Sequence, residues 1–303
     1  MAAWSLAVPV AAGDLAYVTN QNSSDLSILD LDLRAEVERI AVPGKPAGVA
    51  AAQGGGFFTV SPDSKTVRRF DAKGREVAQT VLDGGPIGIA VTRDIAFVSD
   101  WYNARIWLLD AETLTQTGTL ATGSAPAGLA VSPDGRWLAS ADRDADQVSV
   151  FDLGTGALRH RVDVGTRPFG LAFAPDGRLF VGNVGTDDVT VLDAAKGQTL
   201  ATIPVGARPY GVAFARGRAF VTNQYADTVS VIDLATLAPV TEIAVGEYPE
   251  GIDTASDGKT VVVANWFSNT VSLIDAERLT VTGEIATGDG PRSFGKFIAQ
   301  GGL

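Results

Sequence analysis

The chain has 303 residues, a formal net charge of −11, 46% hydrophobic residues, 34 glycines and no cysteine. The acidic balance disfavours general binding to nucleic acid or to an anionic membrane surface. Without cysteine there are no disulfides, thiolate metal centres or cysteine nucleophiles, and a single histidine, His160, removes a His-rich zinc site.

The first residues read MAAWSLAVPVAAGD, an apolar stretch ending in small residues, with Val10 and Ala12 at the −3 and −1 positions of a cleavage before Gly13. It resembles the back half of a secretory signal, but it lacks a basic start and Pro9 interrupts its apolar core. Residues 1–12 therefore read as a signal-peptide remnant, which places the protein in the periplasm or outside the cell, or as a disordered start. Residues 13–303 read as one domain. No run of 18 apolar residues follows, so no membrane span is expected.

Next comes AYVTNQNSSDLSILDLD (Ala16 to Asp32), which returns as AFVTNQYADTVSVIDLA (Ala219 to Ala235). Seven copies share three anchors. The residue ending an apolar run is Asn20, Val60, Asp100, Asp142, Asn183, Asn223 or Asn265. An aspartate follows ten residues later in six copies, and eleven later at Asp71, which reads as one extra residue in the second copy. The prolines Pro46, Pro86, Pro126, Pro168, Pro209, Pro249 and Pro291 are spaced 40, 40, 42, 41, 40 and 42 residues apart. A period near 41 over most of the chain is the mark of a repeat architecture.

Along the chain, GGPIG (Gly84 to Gly88) looks like a phosphate loop, but it lacks a lysine and precedes a strand, so it reads as an ordinary connection. SPDG (Ser132 to Gly135) and APDG (Ala174 to Gly177) are hairpin turns, in which proline presets φ and glycine accepts a positive φ. DRDAD (Asp142 to Asp146) resembles a fragment of a calcium loop without its turn glycine or distal glutamate. His160 falls in ALRHRVDVG, an outermost strand, away from any site. The copy from Pro209 shows all four strands: YGVAFA, AFVTN, TVSVIDL and PVTEIAVG. No segment has a convincing helical pattern.

Four antiparallel strands repeated seven times predict an all-β, seven-bladed β-propeller, since radial packing covers both faces of every sheet. A β-helix has a far shorter repeat. The chain enters inside a repeat, at the second strand (Leu15 to Asn20), and ends just after GPRSFGKFI (Gly290 to Ile298), a first strand without followers. Joining them predicts one shared blade, with the C-terminal strand inside and three N-terminal strands outside.

AYVTN, AFVTNQYADTVSVIDLATL and VGARPYGVAFA resemble the YVTN family of β-propeller repeat proteins, over residues 14–298. The resemblance implies a seven-bladed propeller, usually exported in bacteria or found on archaeal surfaces. Relatives of the fold include propeller subunits of quinoprotein amine dehydrogenases, haem-binding propellers, lactonases and accessory proteins of PQQ-linked alcohol oxidation. Fold does not set function.

In such a meander the fourth-to-first and second-to-third connections share one face, the top. Residues flanking the periodic proline then ring the channel mouth. Lys45, Arg167, Arg208 and Arg292 bring four cations to it, beside Tyr210 and Glu250. They read as an anion site or as solvated charge balanced by Glu247, Glu250 and Asp289. Outside them, only three copies carry aromatics: Trp101 and Tyr102, Tyr225, and Trp266 and Phe267. A structural need would show in every copy, so the asymmetry points to a binding face; the alternative is that each ring packs on the adjoining loop. Asp253 replaces the alanine of other inner strands; it reads as a hydrogen-bonded structural carboxylate, paired with Arg292 or Arg208, or as a ligand or acid–base group.

The expected function is non-enzymatic: a periplasmic binding or scaffold propeller engaging a partner protein, or an anionic or extended ligand, through the top face. The alternatives are an accessory subunit of PQQ- or cytochrome-linked oxidation, and a lactonase-like hydrolase or lyase using Asp253. No cofactor, metal ligand or catalytic residue is assigned. A monomer is expected.

Overall fold

The computed structural model describes residues 13–299, so the signal-like stretch lies outside the described residues. The strands form seven separate four-stranded antiparallel sheets. Six blades use consecutive strands, over residues 48–81, 86–121, 126–163, 168–204, 209–244 and 249–286 (blades 2 to 7). Blade 1 joins Ile298–Ala299 to Leu15–Asn20, Asp25–Asp30 and Ala35–Ala41. The molecule is a seven-bladed β-propeller closed as the repeat predicts. Among the described residues the helical content is a single 3-10 turn, Arg143–Ala145.

Burial follows strand position. Second and third strands such as Arg218–Asn223 and Thr228–Asp233 are buried nearly throughout, because a neighbouring blade covers each face. The outer strand Pro239–Ala244 is almost wholly exposed. The core therefore lies in the seams; Phe97, Ile106, Leu129, Leu138 and Phe151 fill the one between blades 3 and 4. Each such side chain contributes about 1.5–3 kcal/mol.

Two side-chain devices set the repeat. A glycine two residues after the periodic proline lets neighbouring inner strands close on a narrow channel. A Cβ at Gly170 would lie 1.8 Å from the carbonyl oxygen of Tyr210, and one at Gly88 would lie 2.2 Å from that of Ala127. Hydroxyls on second strands add cross-seam bonds: Ser99 Oγ donates to the Ala127 carbonyl at 2.7 Å and Thr222 Oγ1 to that of Glu250 at 2.8 Å.

The second device is a buried polar residue ending each second strand. Asn223 Nδ2 donates to Thr228 Oγ1 and Ser230 Oγ, both at 2.9 Å. Where aspartate stands instead, the polarity reverses: Asp100 accepts from Arg105, and Asp142 accepts from Gln147 and Ser149. The partners five and seven residues on change with the anchor, so each buried polar end is hydrogen-bonded: Asp100 to the Arg105 cation, and Asp142 to neutral donors only, where burial pushes its carboxyl up. This ladder corrects one register. Ser61, not Val60, pairs with the residue five further on, Thr66, and Ser61 Oγ accepts from Arg68 at 3.0 Å. Asp71 is then ten residues later like its counterparts, and the variable spacing falls earlier in the copy. The aspartates at that position cap the bottom turn; Asp30 Oδ1 accepts from the backbone N–H groups of Asp32 and Leu33 at 3.0 and 2.8 Å.

The closing strand departs from the expected shape. Only Ile298 and Ala299 join the ladder of blade 1, after a single bridge between Pro291 and Asn20. The residues between turn toward blade 2. Phe294 N–H donates to the Ala47 carbonyl at 3.1 Å, Val49 N–H to that of Phe294 at 3.0 Å, and Ala51 N–H to that of Lys296 at 2.7 Å.

Candidate binding site at the channel mouth

The residue before each proline stands on the shoulder of the top loop, and the residue after it faces inward. Six pre-proline positions have positive φ, including Arg208 at 56° and Tyr248 at 57°. An aspartate of the preceding blade steadies the backbone there: Asp187 Oδ1 accepts from Arg208 N–H, and Asp227 Oδ1 from Tyr248 N–H, each at 2.8 Å. The post-proline side chains Phe169, Tyr210 and Glu250 are 7%, 3% and 4% exposed and converge on the axis.

There Phe294, arriving from the closing segment, meets Phe169 and Tyr210 at ring-centroid distances of 4.9 and 5.5 Å. These rings stand between two cavities. Below them lies the channel, of about 880 Å³, walled largely by the glycines and alanines of the inner strands. Above them is a mouth of about 440 Å³, lined among others by Trp101, Trp266, Arg143, Arg208, Glu250 and Arg292. The channel is larger, but the convergent chemistry is in the mouth.

Arg292 is its centre. Nε and Nη2 donate to the Tyr210 hydroxyl at 3.2 and 2.7 Å, and Nη1 donates to Gln21 Oε1 at 3.1 Å. Glu250 Oε2 lies 3.1 Å from Nε, and Trp266 lies 5.6 Å beneath the guanidinium. Glu250 Oε1 accepts from Gln224 at 2.8 Å. Burial pushes the Glu250 carboxyl up to about 6, against the pull of Arg292 and Gln224. Burial also raises the Tyr210 hydroxyl. It works against the Arg292 cation, yet Glu250 and Tyr210 outweigh it and hold that group above its ordinary value.

The expected site residues separate into three sets. Trp101, Trp266, Phe267, Arg208, Tyr210, Glu250 and Arg292 line the mouth. Tyr225 and Tyr102 stand on the rim, 59% and 76% exposed; Tyr225 packs on Tyr248, which packs on Phe267, while Tyr102 lies across Gly85. Lys45, Arg167 and Asp253 lie outside it. Lys45 is exposed beside Asp63 at 3.8 Å and Arg167 is exposed on its shoulder, so the four cations do not converge. The shoulder position explains this: only Arg208 bends over an aromatic, Tyr225, at 4.3 Å. Asp253 pairs with neither Arg292 nor Arg208. Its Oδ2 accepts from Phe297 and Ile298 N–H at 3.0 and 3.1 Å, its Oδ1 from Thr254 N–H at 2.9 Å, and Lys296 Nζ is 3.8 Å away. It ties down the closing strand.

Residues 2–297 match the YNCE-like beta-propeller family. The chain belongs to that family. Among curated proteins none matches. A functionally unknown protein from Desulfotomaculum acetoxidans DSM 771 superposes with a TM-score of 0.80 at 17% identity, covering 94% of this chain and 98% of that one. Hydrazine synthase of Kuenenia stuttgartiensis superposes at 0.78 and 17% identity, over 90% of this chain and 99% of that one. Dihydro-heme d1 dehydrogenase NirN, in complex with DHE, superposes at 0.69 and 18% identity, over 94% and 66%. These likenesses show a shared fold.

In this YNCE-like propeller the mouth also takes residues that sequence reasoning passed over. Arg143 lies over Trp101 at 5.3 Å and pairs with Asp144; Phe169, Gln21, Gln224 and Tyr248 complete the wall. All stand at the two ring positions that the repeat defines, which is the signal that finds them. Arg143 was hidden in DRDAD, whose aspartates have other partners: Asp142 is bound by Gln147 and Ser149, and Asp146 accepts from Arg167 N–H. Among the described residues no carboxylate or histidine cluster could hold a metal. His160 lies on the outer strand, with Nε2 3.1 Å from the Ala195 carbonyl.

Proposed function

We propose that this propeller is a periplasmic binding protein that engages a partner protein, or an anionic or extended ligand, through its top face. The observation that carries the reading is the one-sided mouth. Arg143, Arg208 and Arg292 share a cavity with Trp101 and Trp266, while Phe267 at its edge remains 63% exposed. Aromatic and arginine side chains around one concavity are the residues that dominate binding energy at interfaces. The test is capture from periplasmic extract with the wild type and a Trp101→Ala/Trp266→Ala variant of equal melting temperature. Loss of the captured species in the variant is expected; identical capture overturns the reading.

A second reading, an accessory subunit of a periplasmic redox system, draws on the fold shared with hydrazine synthase and NirN. Any redox centre would then sit on the partner, and copurification with a cytochrome or quinoprotein is its mark. A hydrolase or lyase built on Asp253 gains no support from the site, because three backbone N–H groups already occupy that carboxylate.

A further inference from the structure

The mouth holds an ion pair with open valences. Glu250 is buried, and among the described residues its Oε2 accepts no hydrogen bond, although Arg292 Nε is 3.1 Å away. Arg292 makes three hydrogen bonds, two to the Tyr210 hydroxyl and one to Gln21. A guanidinium has five N–H groups. One donor on Nη1 and one on Nη2 thus have no acceptor among the described residues. A buried acceptor and two donors of a largely covered guanidinium are thus left open in the cavity that Trp101 and Trp266 line.

Few groups complete that arrangement. An ammonium group could answer Glu250, but Arg143, Arg208 and Arg292 line the same cavity and repel it. A phosphate dianion needs a second free cation, while Arg143 is paired with Asp144 and Arg208 is drawn over Tyr225. A carboxylate fits: its two oxygens accept the open N–H groups of Arg292, and one of them also accepts an O–H from Glu250 once that acid is protonated.

Resting on the binding reading above, we propose that the mouth binds a carboxylate carried on an aromatic or apolar body, and takes up one proton, held by Glu250, with each carboxylate. The groups facing Glu250 are consistent with this. Arg292 comes from the closing segment, Tyr210 and the neutral Gln224 from blade 6, and Tyr248 from its own loop; Arg143 and Arg208 stand in the same cavity. Burial already brings the acid to about 6, and a second negative charge in contact raises it further, so that it is protonated in the complex near neutral pH. The carboxylate comes either from a free small acid or from the end of a polypeptide.

Titration calorimetry tests the proposal with indole-3-acetate, a peptide ending in phenylalanine with a free carboxylate, the amides of both, and inorganic phosphate. The acids are expected to bind and the amides and phosphate not. Affinity is expected to fall about tenfold from pH 7 to pH 8, with one proton taken up per ligand in buffers of different ionisation enthalpy. Glu250→Gln, which donates permanently, is expected to hold the low-pH affinity at pH 8 with no proton uptake. Binding of the indole acid or of the peptide identifies the source. Amides or phosphate binding as tightly as the acids, or binding without proton uptake, overturns the proposal. If neither acid binds while the double tryptophan variant still loses its captured species, this inference falls and the binding reading stands. If that variant loses nothing either, both fall.

Discussion

Two inner strands do the same job in different ways. Pro209–Ala215 of blade 6 pairs with its own second strand from Pro209↔Asn223 to Ala215↔Arg218. The closing segment, Pro291 to Ala299, bonds at its two ends to blade 1 and in its middle to blade 2. Gly251 N–H reaches it from blade 7 as well, donating to the Arg292 carbonyl at 3.0 Å. A strand inside a continuous repeat is held by its neighbours in sequence. A strand that must arrive last is held by backbone bonds to three blades. It also carries Arg292, the centre of the mouth, and Phe294, the ring between the two cavities, so closure and site are built from the same nine residues.

The largest test removes that segment. Deletion from Pro291 onward strips Phe297, Ile298 and Phe294 from buried positions, at 0%, 6% and 6% exposure, and opens the inner edge of blade 1. The loss is on the order of 8 kcal/mol from apolar area and orphaned backbone groups. A thermal melt is expected to fall by at least roughly 15 °C or to lose cooperativity. Melting like the intact protein would show that the segment is no latch.

Asp253→Ala tests the same latch from the side of blade 7. It leaves the N–H groups of Phe297 and Ile298 without their acceptor, at about 3 kcal/mol for two buried donors. Asp253→Asn keeps one acceptor oxygen and is expected to lose less than half as much in urea unfolding. Equal losses for the two variants would mean that the negative charge, facing Lys296, matters more than the hydrogen bonds.

The contrast between the two strands also explains what could be read in advance. The seven copies were legible because each must solve the same local problems: a bottom turn capped by an aspartate such as Asp30, and a buried polar end such as Asn223. Ser61 was misplaced by one residue because Val60 also ends an apolar run, and only the partner Arg68 marks the serine as the anchor. The side chains of the closing segment were not legible. Whether Phe294 crosses the channel or packs in blade 1 depends on the closed ring, not on its neighbours in the chain. Asp253 stood out as an exception to the alanine column, but its partners 44 and 45 residues on are backbone groups that no residue type announces. In the mouth, residue types were visible; what decides which cations converge is the step from shoulder to channel wall at each proline.

The pH dependence of stability separates Glu250 from the many surface carboxylates. Its pKa is raised from 4.5 to about 6 in the folded state, chiefly by burial. The folded chain therefore binds the proton more tightly than the unfolded one, so this stabilisation is complete below about 4.5 and is lost as pH rises through about 6. The amount is about 2 kcal/mol. Wild type minus Glu250→Gln, measured by urea unfolding from pH 4 to 7.5, is expected to show that decline. A difference that does not change with pH would remove Glu250 from any proton-linked role.

The smallest effect is the sharpest on the two strands. Gly211 of blade 6 has Ser293 as its counterpart in the closing segment. At Gly211 a Cβ would meet the Glu250 carbonyl oxygen at 2.8 Å, so glycine is a steric requirement there. Ser293 instead has a side chain where φ is 49°, and its buried Oγ has no hydrogen-bond partner among the described residues. Ser293→Gly relieves a left-handed conformation of about 1 kcal/mol and removes an unsatisfied hydroxyl, against roughly 0.5–1 kcal/mol of added freedom in the unfolded chain. A net gain of about 1 kcal/mol is expected, seen as a rise in the urea midpoint at unchanged slope. A loss of stability would mean that the serine side chain is needed for the segment to leave its own blade. The middle of the latch would then be specified by this residue and not by the backbone bonds to blade 2.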